Sequence, residues 1–422
     1  MSTRARGRSH EVAGSRGGSR GLLTGSGQIA VAMMLMNVAT YAFTMAAARI
    51  IGPVPYGAYF ALMNLLMIVG VVMLGLQATA ARRISADPTH TGQIERGILR
   101  VTARASLLLG GVLLLASPLI DHLLDLDSMP TAMLVAVAAV PLTMTGAQMG
   151  VLQGERRWRE LATMYVLSGV PRLVIGLALI LWRPTEFMAF LGVALGFYVP
   201  LLYGLAVLRQ GREYSDTHER HGLLLMVKEA VLNSQALFAY FALTNVDMLV
   251  GRSVLDSHDS GLYAAGLIVS RAVMFLPQFV VVVAFPSMST SRNAGRALAT
   301  SMLLVGALGG ACVLATALFP DLVLVFAGGQ QYDEVSGLLW VFALLGTCMA
   351  LLQLLVYSVL ARQDRVSMAL LWAALGVVVV LAATIVSTVG QLLAVVLTVD
   401  MVLLAALVPI SFVKLRERST AQ

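Results

Sequence analysis

The sequence predicts an all-α integral membrane fold, with about twelve transmembrane helices in two parallel-repeat six-helix lobes around a central cavity. Three observations carry this. Hydrophobic residues make up 58% and charged residues 12% of the 422, with a mean hydropathy of +0.84, whereas soluble domains carry about a quarter charged residues. Apolar runs of about 20 residues, long enough to cross a bilayer, recur from end to end. Landmarks of the first half return in the same order in the second.

The first six runs lie near 27–48, 58–80, 101–120, 130–152, 161–182 and 187–208. The second six lie near 229–250, 261–286, 297–319, 336–360, 367–388 and 390–412. Helix is required because lipid offers no partner to an unpaired backbone group, and the runs are about twice as long as the ~10-residue strands of a membrane barrel. Residues 1–26, rich in Arg, Ser and Gly, bury no core and are expected to be disordered. A secretory signal would fit the small residues Met45 to Ala48, but the run before them is too long for a signal core and leads straight into the next span. The lobes are then 27–208 and 229–412, joined by a linker over 209–228 and followed by a tail over 413–422.

Of the 29 Lys and Arg, 24 lie in the N-terminal tail, the 82–104 loop, "GERRWRE", the 209–228 connection, "SRNAGR", "ARQDR" and "KLRER". The opposite side holds Arg49, Arg183 and Arg252 with acids such as Asp121, Asp125, Asp256 and Glu334. The bias places both termini in the cytoplasm. The net charge of +7 and pI near 9.7 therefore report topology, and nucleic acid is not expected as a partner. Cys312 and Cys348 fall inside apolar runs, without disulfide or metal spacing. No cofactor motif or catalytic constellation is present, which favours transport over an enzyme.

Sliding one half on the other aligns Gly57-Ala58-Tyr59 with Gly261-Leu262-Tyr263, Pro118 with Pro320, and "VLQGERRW" with "VLARQDRV", at offsets of 204, 202 and 208. An even number of spans per half makes the repeat parallel, about an axis along the membrane normal.

At "RIIGPVPYGAYFALMNLL" and "TNVDMLVGRSVLDSHDSGLYAAGLIVSRAVMFLPQ" the sequence resembles polysaccharide flippases of the Wzx type, in the superfamily that also holds lipid II flippases and MATE drug exporters. The first stretch is similar to that family's turn between helices one and two, the second to its helix seven to eight junction. The resemblance covers about 27–412 and implies alternating access that carries an undecaprenyl-pyrophosphate-linked oligosaccharide to the outer leaflet. A polysaccharide polymerase and glycosyltransferases are the partners it implies. Lipid II flippases usually carry two further helices, for which this chain lacks room.

Ionisable residues inside a bilayer are costly and mark candidate sites. Arg271, in helix eight where relatives carry a cavity-facing arginine, is a candidate contact for pyrophosphate, which a guanidinium holds bidentately; pairing with Asp247 is the structural alternative. Arg172 follows Pro171 and is a second cation, at a site that permits a kink. Asn37, Tyr41 and Thr44 share one face of helix one, and Asn233, Tyr240 and Thr244 one face of helix seven; these stripes line a sugar-accessible cavity or hold helices together. Asp247 is a candidate coupling site for a proton or sodium ion. Asp400 is left outside the site, as a neutralising residue of its lobe. A cation-coupled multidrug antiporter of the MATE class is the rival function, and a non-transporting scaffold the third.

Overall fold

A computed structural model of the protein describes residues 15–126, 128–209, 223–274, 294–360 and 365–420. In the first half α1 spans Ser15–Ile51, α2 Pro53–Ala86, α3 Thr91–Leu115, α4 Ser117–Leu124, α5 Met129–Gly154, α6 Trp158–Trp182 and α7 Glu186–Arg209. In the second half α8 spans Leu223–Val254, α9 Ser257–Met274, α10 Ala294–Leu318, α11 Pro320–Ala327, α12 Leu339–Leu360, α13 Arg365–Ile385 and α14 Val389–Thr420. Among the described residues ten segments are long and apolar enough to cross a membrane, and α8 and α9 stand where the remaining two spans are predicted. The predicted eighth span runs on past Met274 into residues outside the described set.

Three boundaries differ from the sequence reading. α1 starts at Ser15, α8 at Leu223 and α14 ends at Thr420, so helix extends into the segments assigned to the N-terminal tail, the linker and the C-terminal tail. Once a span is helical each further residue adds a hydrogen bond without a new nucleus, and polar flanks can continue it.

The helices are punctuated by residues suited to the task. Gly52, at φ +79°, alone separates α1 from α2, and Pro53 opens α2, because proline fits a first turn whose N–H groups lack partners. At the turn into α3, Asp87 accepts from the backbone of Thr89 and His90. The Thr89 hydroxyl, the largest influence, and His90 hold its carboxyl at about 2, below the usual range.

Duplication is visible in the packing. The first half pairs α1 with α6, α2 with α5, α3 with α5, α5 with α7 and α6 with α7; the second pairs α8 with α13, α9 with α12, α10 with α12, α12 with α14 and α13 with α14. Each third helix is followed by an eight-residue helix with proline in its first turn, α4 at Pro118 and α11 at Pro320. Each of these stops at a left-handed residue, Asp125 at φ +46° and Gly328 at φ +125°, the geometry that ends a helix cleanly.

The lobes meet through α2, which packs on both α8 and α9. At the predicted outer end, Gly57 of α2 lies against Gly261 of α9. A Cβ at Gly57 would stand 3.0 Å from the Gly261 nitrogen, and one at Gly261 would collide with the Pro53 carbonyl. These are the two glycines that the sequence alignment equates.

Two latches flank that contact. Buried Arg252, at the end of α8, donates to the carbonyls of Leu124 and Asp125 at 2.7 Å each and to Ser260 Oγ at 2.8 Å. On the other side, Tyr332 Oη and Gln331 Nε2 each donate to the Ala48 carbonyl at 2.9 Å. Both latches serve carbonyls at helix C-termini, which have no partner within their own helix. Charged donors contribute about 1.5–3 kcal/mol per bond against about 1 for neutral ones, so the Arg252 latch is the stronger.

Candidate functional site

Arg271, partly buried on α9, sits at the interface between lobes. Its Nη2 donates to Oδ1 of Asn64 on α2, to Oδ1 of Asn245 on α8 at 2.9 Å and to the Thr244 carbonyl at 3.4 Å. Its Nη1 lies 3.2 Å from Met67 Sδ, and the guanidinium carbon stands 5.6 Å from the centre of the Phe60 ring. It makes no ion pair among the described residues, Asp247 included. The guanidinium is thus held by amide oxygens, a sulfur and a ring face rather than by a carboxylate, among the described residues.

Met67 and Arg271 occupy equivalent positions at the repeat offset of 204, as Gly57 and Gly261 do. The α2–α9 pair is thus the self-contact of the repeat, and its middle carries one cation on the pseudo-two-fold axis. Local sequence orients both asparagines alike. Asn64 Nδ2 donates to the carbonyl of Phe60 and Asn245 Nδ2 to that of Phe241, each at 2.6 Å, which turns both amide oxygens toward Arg271. Sequence reasoning missed these two residues. The signal was the repeated "FALMN" at 60–64 and "FALTN" at 241–245.

Arg172 lies within the first lobe. Its Nε donates to the Ser168 carbonyl at 2.5 Å and its Nη2 to Thr40 Oγ1 at 2.7 Å, over the Phe197 ring at 4.9 Å. It lines a small crevice with Thr40, Phe43, Tyr59, Met63 and Val193. The two arginines are not brought together. α2 stands between them, presenting Tyr59 and Met63 to Arg172 and Phe60, Asn64 and Met67 to Arg271, two faces of one helix by their spacing.

The polar stripes divide. Tyr41 Oη donates across the interface to the Ile268 carbonyl at 3.0 Å. Asn37 is partly buried on α1, and Thr44 Oγ1 donates to the Thr40 carbonyl at 3.0 Å within its own helix. Tyr240 is buried with its hydroxyl 3.1 Å from the Met349 carbonyl, inside the second lobe, and Thr244 Oγ1 donates to the Tyr240 carbonyl at 3.1 Å. The Asn233 side chain lies outside the described residues. Asp247 is fully buried; its Oδ2 accepts from Tyr263 at 2.8 Å, and among the described residues its Oδ1 has no hydrogen-bond partner. Asp400, also buried, has no hydrogen-bond partner for either oxygen among the described residues. Among the described residues no group of His, Cys, Asp and Glu could hold a metal ion.

No protein-family model matches the chain, and no curated protein matches it. Solved structures do. A multidrug resistance MATE family transporter of the MOP superfamily in its inward-facing conformation superposes with a TM-score of 0.67 at 15% identity, covering 92% of this chain and 95% of that one. The outward-facing conformation gives 0.56 at 17%, covering 93% and 95%. A MOP superfamily transporter from Pyrococcus furiosus, described by a reverse polarity of its binding pocket that suggests a different function, gives 0.53 at 16%, covering 93% and 95%. The fold is thus MATE-like, with two lobes.

Proposed function

We propose that the protein is a transporter of a bacterial inner membrane that carries an undecaprenyl-pyrophosphate-linked oligosaccharide from the inner to the outer leaflet by alternating access, for surface polysaccharide biosynthesis. One observation carries the reading: a guanidinium on the axis between the lobes, touched by both and ion-paired to neither. A site reached by both lobes is what alternating access needs, and an uncancelled cation suits a diphosphate. The closed outer end, and the higher TM-score against the inward-facing relative, fit the state that loads from the cytoplasm. The Tyr41 edge of the stripe extends the surface toward the sugar, Arg172 is a second cation on the other face of α2, and Asp247 is the residue proposed to couple transport to an ion. A polymerase and glycosyltransferases are the proposed partners.

Arg271→Ala is expected to abolish surface polysaccharide at unchanged protein level in the membrane, and Arg271→Lys to retain part of it, because an ammonium keeps the charge without the fork. Normal polysaccharide in the alanine variant would overturn the role.

A second reading, a cation-coupled multidrug antiporter, is favoured by one observation. Asp247 and Asp400 keep carboxylate oxygens unpartnered in the second lobe, and acids suit cationic drugs. A deletion strain sensitive to cationic dyes with intact polysaccharide would establish it over the first.

A further inference from the structure

We propose that Asn64 forms the interlobe bridge that an anionic substrate breaks: the anion takes the Arg271 donors that Asn64 holds, and so frees the lobes to part. This rests on the reading of Arg271 as the anion contact and adds how that contact moves the protein.

Arg271 Nη2 is shared by two amide oxygens of different origin. Asn245 belongs to the same lobe as Arg271 and stays with it in any rigid-body movement; Asn64 belongs to the other. With Met67 and Phe60, also on α2, Asn64 supplies the contacts that Arg271 makes across the interface among the described residues. Parting the lobes removes these together and leaves Asn245 and the Thr244 carbonyl. Asn64 is 1% exposed, so the bridge exists only while α2 and α9 are in contact.

A ligand shifts a conformational equilibrium only by its difference in affinity between the states. Here the difference is built in. In the bridged state the anion must displace Asn64, whereas in the parted state Asn64 has already left the Arg271 donors and only the same-lobe acceptors remain. The bond to Asn64 already has a charged donor, but a diphosphate adds an opposite charge and a bidentate fit that one amide oxygen lacks, so the exchange favours the diphosphate. The amide suits the task by being neutral: it satisfies the guanidinium without cancelling it. An aspartate at 64 would form an ion pair and resist displacement.

The test uses the full chain with Cys312 and Cys348 replaced by alanine and spin labels on cysteines at Val54 and His258, which lie on opposite lobes at the outer end. Without ligand the parent is expected to give a short distance, Asn64→Ala to add a longer population, and Asn64→Asp to stay short. Inorganic pyrophosphate, titrated by calorimetry, is expected to bind Asn64→Ala several-fold more tightly and Asn64→Asp at least tenfold more weakly than the parent. Asn64→Asp carries the test alone if Asn64→Ala does not fold. If pyrophosphate binds through Arg271 while both Asn64 variants match the parent in distance and affinity, the bridge is wrong and the transport reading stands. If the parent binds no pyrophosphate and Arg271→Ala changes nothing, the anion reading falls and substrate-driven release falls with it.

Discussion

Gly57 against Gly261 and Met67 against Arg271 are the same contact made twice along one pair of helices, and only the first pair has kept identical partners. At the predicted outer end two backbones approach so closely that a side chain on either would strike the other, so the physics of packing treats both repeats alike. Deeper in, one guanidinium on the axis finds acceptors on both sides, whereas two would face each other with like charge. Duplication thus preserves what is steric and differentiates what is electrostatic.

The largest effect is expected from forcing the first pair apart. Gly261→Leu would place its side chain on the Pro53 carbonyl, so the outer end should fail to close and transport should be lost, with the Val54–His258 label distance lengthened in every state. The second pair is tested by exchange. Arg271→Met alone should abolish transport, while the double variant Met67→Arg, Arg271→Met, which moves the cation to the equivalent position in the other lobe, should recover part of it. No recovery would mean that position, and not the mere presence of one axial cation, decides.

A smaller effect compares the two latches. Arg252→Gln removes charged bonds to Leu124 and Asp125, and should weaken outer closure by about 2–4 kcal/mol. Tyr332→Phe removes one neutral bond to Ala48 and should cost about 1 kcal/mol. The populations of the open outer gate, read by the same labels, should rank in that order.

The fold was legible because span length and hydropathy are imposed by the bilayer and not by neighbours. The Gly-x-Tyr landmarks even marked the helices that meet on the axis. Arg271 was legible as a costly charge in lipid. Its surroundings were not, for two physical reasons. Helical spacing tells which residues share a face but not what that face meets, so Tyr240 joined a cavity stripe on spacing while its hydroxyl serves Met349 inside the lobe. The two asparagines lie on helices that are not equivalent in the repeat, α2 and α8, so "FALMN" and "FALTN" match at an offset of 181 that alignment at 204 cannot register. Arg252 read as a charge of the side opposite the termini; burial beside the end of α4 gave it backbone carbonyls.

Those carbonyls have a consequence for how the protein can change over time. The latch acceptors at Ala48, Leu124 and Asp125 are main-chain oxygens, which every amino acid supplies. The latch bonds themselves make no demand on the side chains there, which answer to packing at buried Ala48 and Leu124, whereas the donors Arg252, Gln331 and Tyr332 are held by the bonds. Paired substitutions across the gate will therefore be scarce, and a search for correlated change between the lobes would pass over the place where they are fastened.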